Sequence, residues 1–462
     1  MTRTRRLLCA AVALAAPAGA ALGPRYGGEV TIGAPFVPAA GAPAFATAPL
    51  ERTVAALTHE TLVRVPRDGT VEPALARTWA SAAEGREWTL TLASDSRFHD
   101  DTAVTATDAV RSLRRFLRGP SPAAARWAEL VAGGRAFRAG TTEDLPGLFA
   151  PDGVRVVLRH VAAVPAPLAP LAAPAAAVTS AAGAGAGPFV PGARSPRRLE
   201  LGAFTGHVRG RPYLDRVAFA LVPDDDGAAD LDAGRVQIAL AGGGTSPPAA
   251  MVLLLLDPAR GPFADPAARA SALASVDARQ LVEHLVPGGE VPGALLPPDL
   301  LTPLPAATTA PAGGALAGRA TLAVGRDVPA AISQRVVACF ADRGLAVTVQ
   351  PMDPLSARDA AVDARLLWWA PEVAEPSLAL RELLALARQE GEGAAALAAA
   401  DGERDPDRRR ALFHRVESGL RDAGLVTALA RAPLPFRARA DVHGLRVDAG
   451  AALLLEDAWR AP

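Results

Sequence analysis

The fold class depends most on residues 320–350, which read ATLAVGRDVPAAISQRVVACFADRGLAVTVQ. The two ends of this stretch, 320–324 and 346–350, have the apolar pattern of strands, and residues 332–343 between them have the pattern of a helix. A strand, a helix and a second strand in this order form a β-α-β unit, whose two strands run parallel in one sheet. The stretch therefore predicts a mixed α/β fold with at least one parallel pair of strands.

Strand and helix patterns continue on both sides of this unit. Strand patterns occur at 28–33, 88–92, 154–158, 217–222, 251–256 and 445–455, and helix patterns at 267–285, 378–400 and 407–423. Residues 251–256 are apolar throughout, which predicts a fully buried strand. Residues 57–65 predict a helix that passes into an extended segment, and Thr105 to Asp108 form a capping box that marks the start of another helix. These elements predict more than one sheet.

The composition indicates a globular chain and excludes two classes of protein. Half of the 462 residues are hydrophobic, and 48 basic side chains balance 48 acidic ones. A chain this apolar is not disordered, and a chain this balanced does not bind nucleic acid through its overall charge. Lysine and asparagine are absent, so arginine is the source of fixed positive charge. The length predicts more than one structural unit.

The first 20 residues have the organisation of a secretory signal peptide. Arg3, Arg5 and Arg6 precede an apolar run at 7–16, and small residues follow at 18–20. We expect export by the Sec or the Tat route and removal of residues 1–20; the alternative is an Ala-rich first helix of a cytosolic protein. Cys9 lies too early for a lipidated cysteine, which predicts a free periplasmic protein. Cys339 then remains, and its apolar neighbours predict a buried helix residue.

Common enzyme and metal motifs are missing from the sequence. No two histidines have metal-binding spacing, no G-x-S-x-G elbow occurs, and a G-x-x-x-x-G-K-[ST] loop requires lysine. We interpret residues 183–188 as a turn rather than a dinucleotide loop, 224–226 (Asp224, Asp225, Asp226) as a solvated turn rather than a cation site, and 408–410 as a solvated helix face. We therefore expect no catalytic residues, no bound metal and no cofactor.

A set of short motifs occurs in a fixed order over most of the chain after the leader. They are Glu60-Thr61-Leu62-Val63, Phe98-His99-Asp100, Gly185-Ala186-Gly187-Pro188-Phe189, Gly210-Arg211-Pro212-Tyr213-Leu214-Asp215, and Pro262-Phe263-Ala264-Asp265 with Arg269 and Asp277. Each motif alone is weak, whereas the ordered set is specific. In this order they resemble the family 5 extracellular solute-binding proteins, which are peptide- and nickel-binding subunits of ABC importers.

The resemblance implies a two-lobed clamp of the periplasmic-binding-protein type, with mixed sheets and a small extra domain inserted near the N-terminus. It places lobe I at residues 21–47, 161–240 and 435–462, the inserted domain at 48–160, and lobe II at 241–434. In such a clamp the ligand binds between the lobes, and it shifts a hinge equilibrium toward the closed form. The implied protein is a monomer that captures a peptide or similar small solute, delivers it to an ABC permease and breaks no bond.

Two other functions stay open at this stage. A sensory or accessory protein could use the same clamp and pass its signal to a protein partner instead of a permease. Neighbouring genes distinguish these two, because permease and ATPase genes favour import and a histidine kinase gene favours sensing. An exported hydrolase is the least supported function, since the sequence shows no set of nucleophile, base and acid.

The segment Trp368-Trp369-Ala370-Pro371-Glu372-Val373-Ala374-Glu375-Pro376 resembles the family's W-x-x-D-x-x-D/E-P motif. The resemblance implies that Trp369, with Trp368 beside it, forms an aromatic wall of the ligand site. It also implies that Glu372 pairs with the α-ammonium group of the ligand. The alternative is that both tryptophans belong to the core and that Glu372 is solvated, because Pro371 and Glu372 depart from the motif.

Three further positions differ from the family's pattern. Asp101 replaces a turn glycine, which costs little if the turn has a negative φ. Phe204 lies in a segment that replaces an N-P-x-Y-W sequence, and Asp257 stands where a strand asparagine is usual. Together these differences predict a divergent member with an unassigned ligand.

Overall fold

The structure is a computed structural model that describes residues 23–39, 43, 46, 48–222, 227–240, 246, 248–303, 316–389, 391–434 and 436–461. The predicted signal peptide at 1–20, Cys9 and the Asp224 to Asp226 turn lie outside these residues. Among the described helices, none combines the length and the apolar character needed to cross a membrane.

Helices and strands alternate along the chain, as the mixed α/β prediction requires. The helices are α1 Pro49–Thr58, α2 Ala106–Arg118, α3 Pro122–Leu130, α4 Gly134–Arg138, α5 Ala228–Asp232, α6 Pro266–Ser275, α7 Ala278–Leu285, α8 Ala330–Ala341, α9 Pro354–Asp359, α10 Pro376–Leu386, α11 Glu392–Gly402 and α12 Pro406–Asp422. The strands are β1 Glu29–Ala34, β2 Val63–Arg64, β3 Glu72–Pro73, β4 Ala76–Ala82, β5 Glu87–Leu92, β6 Leu148–Phe149, β7 Arg155–Arg159, β8 Phe189–Ser195, β9 Arg198–Ala203, β10 Arg216–Leu221, β11 Ile238–Ala239, β12 Pro248–Leu256, β13 Arg319–Gly325, β14 Ala346–Met352, β15 Ala364–Trp369, β16 Val426–Pro433, β17 Arg437–Ala438, β18 Val442–His443, β19 Arg446–Val447, β20 Leu453–Leu454 and β21 Trp459–Arg460.

A six-stranded sheet in the order β17-β11-β1-β10-β9-β8 draws on the beginning, the middle and the end of the chain. Its central strand β1 pairs in parallel with both β10 and β11, so it is buried on both faces. Helix α1 covers this sheet with Leu50, Val54 and Leu57, which belong to the same apolar core as Val30 and Ile32. The strand predicted at 28–33 is confirmed, and it positions α1 over one face of the sheet.

A five-stranded sheet in the order β14-β13-β15-β12-β16 forms the second large unit. Strand β13 pairs in parallel with β14 and β15, and α8 connects β13 to β14, so the predicted β-α-β unit is confirmed. Strand β12 lies inside the sheet, and its successive side chains enter different cores: Met251, Leu253 and Leu255 face one, and Val252 and Leu254 face the other. The prediction of a strand buried on both faces is therefore confirmed.

A four-stranded antiparallel sheet in the order β4-β5-β7-β6 packs against helices α2 and α3. The predicted capping box is present at the start of α2. The Thr105 hydroxyl oxygen accepts a bond from the Asp108 N–H at 3.2 Å, and the Asp108 carboxylate accepts one from the Thr105 N–H at 3.1 Å. This reciprocal pair satisfies two of the N–H groups that every helix start leaves free.

Two predicted long helices are each divided in the structure. The helix expected at 267–285 ends at Ser275, and a second one begins after Asp277, whose carboxylate caps it by accepting from Arg279 N–H at 2.9 Å. The helix expected at 378–400 ends at Leu386, and α11 begins after Gly391, which has a φ of +100°. At the first break the Asp277 cap starts a new helix, and at the second the positive φ of Gly391 interrupts the helical backbone. In both cases the apolar pattern of the sequence continues across the break. Cys339 lies buried in α8, as predicted.

The predicted lobe boundaries fall in segments that pack across them. Helix α1, which the boundary at 48 assigns to the inserted domain, covers the six-stranded sheet. Leu168 and Leu171, which the boundary at 161 assigns to lobe I, pack in the core of the four-stranded sheet. Val373 and Leu378 from the long C-terminal part of the chain join that core as well. The boundaries themselves stay a prediction.

Asp101 has a φ of +62°, so the turn after β5 keeps the left-handed conformation that glycine favours. The turn therefore does not have the negative φ at which aspartate would cause little backbone strain. We expect Asp101→Gly to raise the free energy of unfolding by about 0.5 kcal/mol, because it removes this backbone strain. Asp101→Ala should lower it, since alanine tolerates this conformation less well than aspartate. Urea denaturation of both variants checks this, and a loss of stability in the glycine variant would contradict it.

Candidate functional site

A cavity of about 350 Å³ lies where α1 and the residues after it meet two distant segments, 372–374 and 446–456. We call it the first cavity. Its wall includes ten charged residues, namely Arg52, Glu60, Arg64, Arg67, Glu72, Arg209, Glu372, Arg446, Asp448 and Glu456. Within the described ranges, no group of three or more histidine, cysteine, aspartate or glutamate side chains is arranged to hold a metal ion.

A second cavity of about 260 Å³ adjoins the first one. It lies between the start of α3, helix α9, strand β15 and the end of α10, and it is lined by Pro120, Ser121, Arg358, Asp359, Arg365 and Arg388 among others. Arg52 and Glu372 line both cavities. These two side chains therefore lie between the two cavities, which together we call the cleft.

Glu372 is a partly buried acid at this junction. Its carboxylate accepts a hydrogen bond from the Ser121 hydroxyl at 2.8 Å and one from the Ala123 N–H at 3.4 Å. It forms no ion pair with any residue of the described ranges, and burial together with the nearby Glu382 carboxylate raises the pKa of Glu372 above its ordinary value. The charge of Arg52 acts in the opposite direction on this pKa, so a cation placed in either cavity would meet a carboxylate that has a positive charge in its surroundings but no ion-pair partner among the described residues.

Arg52 connects α1 through hydrogen bonds to the segment that contains Glu372. Its side chain is only 5% exposed, and Nη1 donates to the carbonyl oxygens of Ala370 and Pro371 at 3.1 Å and of Gly450 at 3.0 Å. Burial lowers the pKa of the Arg52 guanidinium. The three acceptors lie more than 300 positions away in the chain, so this arginine fixes the approach of distant segments rather than a local turn.

The wall of the first cavity contains a buried ionic network around Glu60, which is 3% exposed. Its carboxylate contacts Arg64 Nη2 at 2.6 Å and His207 Nε2 at 3.2 Å, and Arg64 Nη1 reaches Glu456 at 2.7 Å. Burial alone would raise the pKa of Glu60, but the Arg64 guanidinium and the His207 ring more than offset this and hold it at about 2. Sequence reasoning missed this network, and its only local signal was the four-residue spacing of Glu60 and Arg64.

The two tryptophans of the predicted site lie on β15, just before Glu372. Trp369 is 1% exposed and pairs with Met251 of β12 inside an apolar core. Trp368 is partly buried and faces Val252 across the same strand pair. Neither side chain lines the two cavities described above. The core position of Trp369 agrees with the alternative interpretation of the sequence, whereas Glu372 is partly buried beside the two cavities rather than fully solvated.

The other two divergent positions have structural partners. Phe204 is buried and meets the His99 ring edge-on, with ring centroids 5.0 Å apart. Asp257 is buried and forms an ion pair with Arg388, whose side chain lines the second cavity. These substitutions are therefore accommodated by packing and charge pairing.

The fold matches solved structures of bacterial binding proteins. The Escherichia coli murein tripeptide binding protein MppA aligns with a TM-score of 0.82 at 20% identity, over 94% of this chain and 98% of that one. Burkholderia pseudomallei OppA aligns with a TM-score of 0.80 at 15% identity, over 96% and 100%. Haemophilus influenzae OppA in complex with RPPGFSPFR aligns with a TM-score of 0.78 at 15% identity, over 94% and 98%. These likenesses confirm the predicted fold class, a two-lobed clamp with mixed sheets.

Sequence comparison identifies the family. Curated protein sequences gave no match. The sequence model of the bacterial extracellular solute-binding proteins, family 5 Middle, matches residues 70–316, which is more than half of the chain. This range includes the strands of the four-stranded sheet and the motifs at 98–100, 185–189, 210–215 and 262–277. The chain therefore belongs to family 5 of the bacterial extracellular solute-binding proteins.

Proposed function

We propose that this chain is the substrate-binding subunit of an ABC importer and that it captures a peptide or a similar small solute carrying a free amine. Glu372 carries the proposal, because it is a carboxylate that lines both cavities and forms no ion pair with a described residue. A ligand ammonium group beside it would form a charge-assisted hydrogen bond, worth about 1.5–3 kcal/mol. The protein makes and breaks no bond of its ligand.

Hinge closure is supported by polar contacts that cross the cleft. The Ser121 hydroxyl donates to Glu372, Arg52 donates to the Pro371 carbonyl, and Arg126 Nη2 pairs with Asp401 at 2.8 Å. Separation of the two sides would break all of these contacts. A ligand that adds further contacts across the same cleft would favour the closed form through its differential affinity for the two states.

The remaining parts of the proposal follow the family. Residues 1–20 direct export, the mature chain acts as a periplasmic monomer, and its closed form docks on a membrane permease. Trp369 and Trp368, directly before Glu372, are not assigned to the wall of the site, because neither side chain lines the two cavities. Closure over the ligand excludes water, which strengthens the ionic contact with Glu372.

A thermal-shift screen of the chain without residues 1–20 tests the proposal. The ligands are dipeptides and tripeptides, their N-acetylated counterparts, nickel chelates and sugars. We expect free-amine peptides to raise the unfolding midpoint, because a ligand at about 100 times its Kd stabilises the folded state by about 2.7 kcal/mol. The N-acetylated peptides should produce a much smaller shift. Failure of every free-amine peptide to raise the midpoint would contradict the proposed function.

A further inference from the structure

Helices α2 and α4 contain a dense group of arginines that has no role in the proposed capture of a ligand. Six arginines lie on these two helices, namely Arg111, Arg114, Arg115, Arg118, Arg135 and Arg138. The same helices and the loop up to residue 144 contain three acids, namely Asp108, Glu143 and Asp144. None of the six arginines lines either cavity. This part of the protein therefore has an excess of positive charge outside the ligand site.

The four arginines of α2 lie on one face of the helix. Their positions follow the spacing i, i+3, i+4 and i+7, which places side chains in one stripe along an α-helix. The opposite, apolar face of α2 is buried in the core of the four-stranded sheet. Arg115 and Arg118 are exposed to solvent, and Arg111 and Arg114 are partly exposed. The stripe is therefore accessible, while the buried face holds the helix in place.

Helix α4 places two further arginines beside this stripe. The guanidinium groups of Arg114 and Arg118 lie 4.6 and 4.2 Å from the centre of the Phe137 ring. Arg138 donates to two carbonyl oxygens at the end of α2, at 2.6 and 2.8 Å. Arg135 is exposed on the same helix. We call the six arginine side chains of α2 and α4 the arginine surface.

Three members of the arginine surface, Arg115, Arg135 and Arg138, have no acidic partner among the described residues. Both terminal nitrogens of Arg115 donate to the Thr179 hydroxyl at 3.2 Å. Partial burial and the neighbouring Arg111 lower the pKa of the Arg115 guanidinium, as expected for a cation among like charges. Hydroxyl and carbonyl oxygens thus hold these side chains in place without neutralising them.

The other three members share two acids. Arg111 pairs with Asp108 at 2.7 Å, and Arg114 and Arg118 both pair with Glu143, at 3.9 and 2.5 Å. The Glu143 side chain is 77% exposed, and ion pairs at such a site are weak. An external anion can therefore compete with Glu143 for these two guanidinium groups.

We infer that the arginine surface docks the protein on an anionic phospholipid membrane. Guanidinium groups pair with phosphates through two hydrogen bonds, and each arginine near an anionic membrane strengthens binding about fivefold. A layer of headgroups fits a stripe of arginines on a helix better than a small anion does, because the arginines line neither cavity. The apolar face of α2 is already buried, so the contact is peripheral and depends on salt. This docking goes beyond the proposed capture of a ligand.

Co-sedimentation of the mature chain with lipid vesicles tests the inference. One preparation contains phosphatidylcholine alone, and the other contains phosphatidylglycerol as well. We expect binding to the anionic vesicles at low salt, little binding to the neutral ones, and loss of binding at high salt. The double variant Arg115→Gln, Arg135→Gln removes two exposed charges that lack an acidic partner, and it should weaken binding to the anionic vesicles about tenfold or more.

The double variant Arg404→Gln, Arg408→Gln is the matched control. It removes the same charge from another exposed part of the surface, where acids alternate with the arginines at 403, 405 and 407. The negative charges beside Arg404 and Arg408 oppose attraction to an anionic layer. Binding of this variant should therefore stay within about twofold of that of the unsubstituted chain.

Glu143→Gln should change vesicle binding in the opposite direction. It removes the acid shared by Arg114 and Arg118, so binding to anionic vesicles should rise about fivefold. Because Glu143 is exposed, this variant is expected to fold, and it decides the matter if the variant at 115 and 135 does not. Unchanged or weaker binding of Glu143→Gln would contradict the assignment.

Three further results would overturn the inference. The first is that the chain does not bind anionic vesicles at low salt. The second is an equal loss of binding in the two double arginine variants, which would attribute the attraction to net charge alone. The third is binding to soluble polyphosphate but not to vesicles, which would assign the arginine surface to a soluble polyanion. Peptide affinity is measured in a separate titration, so each of these results leaves the proposed function standing.

Discussion

Replacement of Glu60 by glutamine is expected to lower the free energy of unfolding by about 3 kcal/mol at neutral pH. Glu60 lies buried between Arg64 and His207, and its carboxylate is the shared acceptor of both. A neutral amide would leave the Arg64 charge with one acidic partner, Glu456, in a site already removed from water. Urea denaturation at pH 7 measures the effect.

The same network should make stability depend on pH in the acid range. The pKa of Glu60 is held at about 2 in the folded chain, below its ordinary value of 4.5. A depressed pKa of an acid stabilises the folded state above the unfolded pKa, and that contribution is lost as the pH falls from 4.5 toward 2. Glu60→Gln should therefore lose less stability over this interval than the unsubstituted chain.

Glu143→Gln is the matched control for Glu60. Glu143 also pairs with an arginine, Arg118, but its side chain is exposed to solvent. An exposed pair contributes only about 0–1 kcal/mol, so this variant should resemble the unsubstituted chain in both measurements. Equal stability losses for the two glutamine variants would show that the Glu60 network contributes no more than a surface ion pair.

Replacement of Glu372 by glutamine should weaken the binding of a free-amine peptide by about tenfold or more. Glutamine preserves the size of the side chain and a carbonyl oxygen that can still accept from Ser121, so the change removes mainly the negative charge. Isothermal titration with one peptide and its N-acetylated form measures the loss. The affinities of the free-amine peptide and its N-acetylated form should differ strongly for the unsubstituted chain and only slightly for Glu372→Gln.

The unliganded protein should respond to Glu372→Gln in the opposite direction. Burial and Glu382 raise the pKa of Glu372, so its ionised form destabilises the folded state at neutral pH. Glutamine removes this cost, and the unfolding midpoint without ligand should rise. Glu382→Gln is the contrasting control, because Glu382 pairs with the buried Arg358 and its loss should lower the midpoint. If Glu372→Gln changed neither the peptide affinity nor the unfolding midpoint, Glu372 would not be part of the ligand site.

The sequence predicted those elements whose pattern is local. The β-α-β unit at 320–350, the doubly buried strand β12 and the Thr105 cap depend on neighbouring residues, and all three are present. The breaks after Ser275 and before Gly391 were missed, because an apolar stripe continues through them while capping and backbone conformation end the helix.

The candidate site was predictable only where the family's motif reaches it. Glu372 follows from the W-x-x-D motif, and its position in the cleft agrees with a ligand-binding role that the experiments above test. The Arg52 contacts to Ala370 and Pro371 and the pairing of Glu60 with His207 join residues that are far apart in the sequence. Such pairings are set by tertiary packing, for which one sequence carries no periodic signal.

The absence of lysine and asparagine has a structural counterpart in the use of arginine. Arg52, Arg138, Arg269 and Arg365 each donate to two or more backbone carbonyls, a task that a planar guanidinium with several donors performs well. Of these four, Arg52 and Arg365 line the cavities. Arginine therefore provides both contacts between distant segments and positive charges in the walls of the two cavities.

The central claim is that the cleft holds the ammonium group of a peptide against Glu372. A crystal structure of the mature chain with bound tri-alanine tests it most directly. We expect the peptide between the lobes, with its terminal nitrogen about 3 Å from a carboxylate oxygen of Glu372. A peptide bound elsewhere, or one whose terminal nitrogen pairs with a different acid while Glu372 contacts only Ser121 and Ala123, would contradict the account.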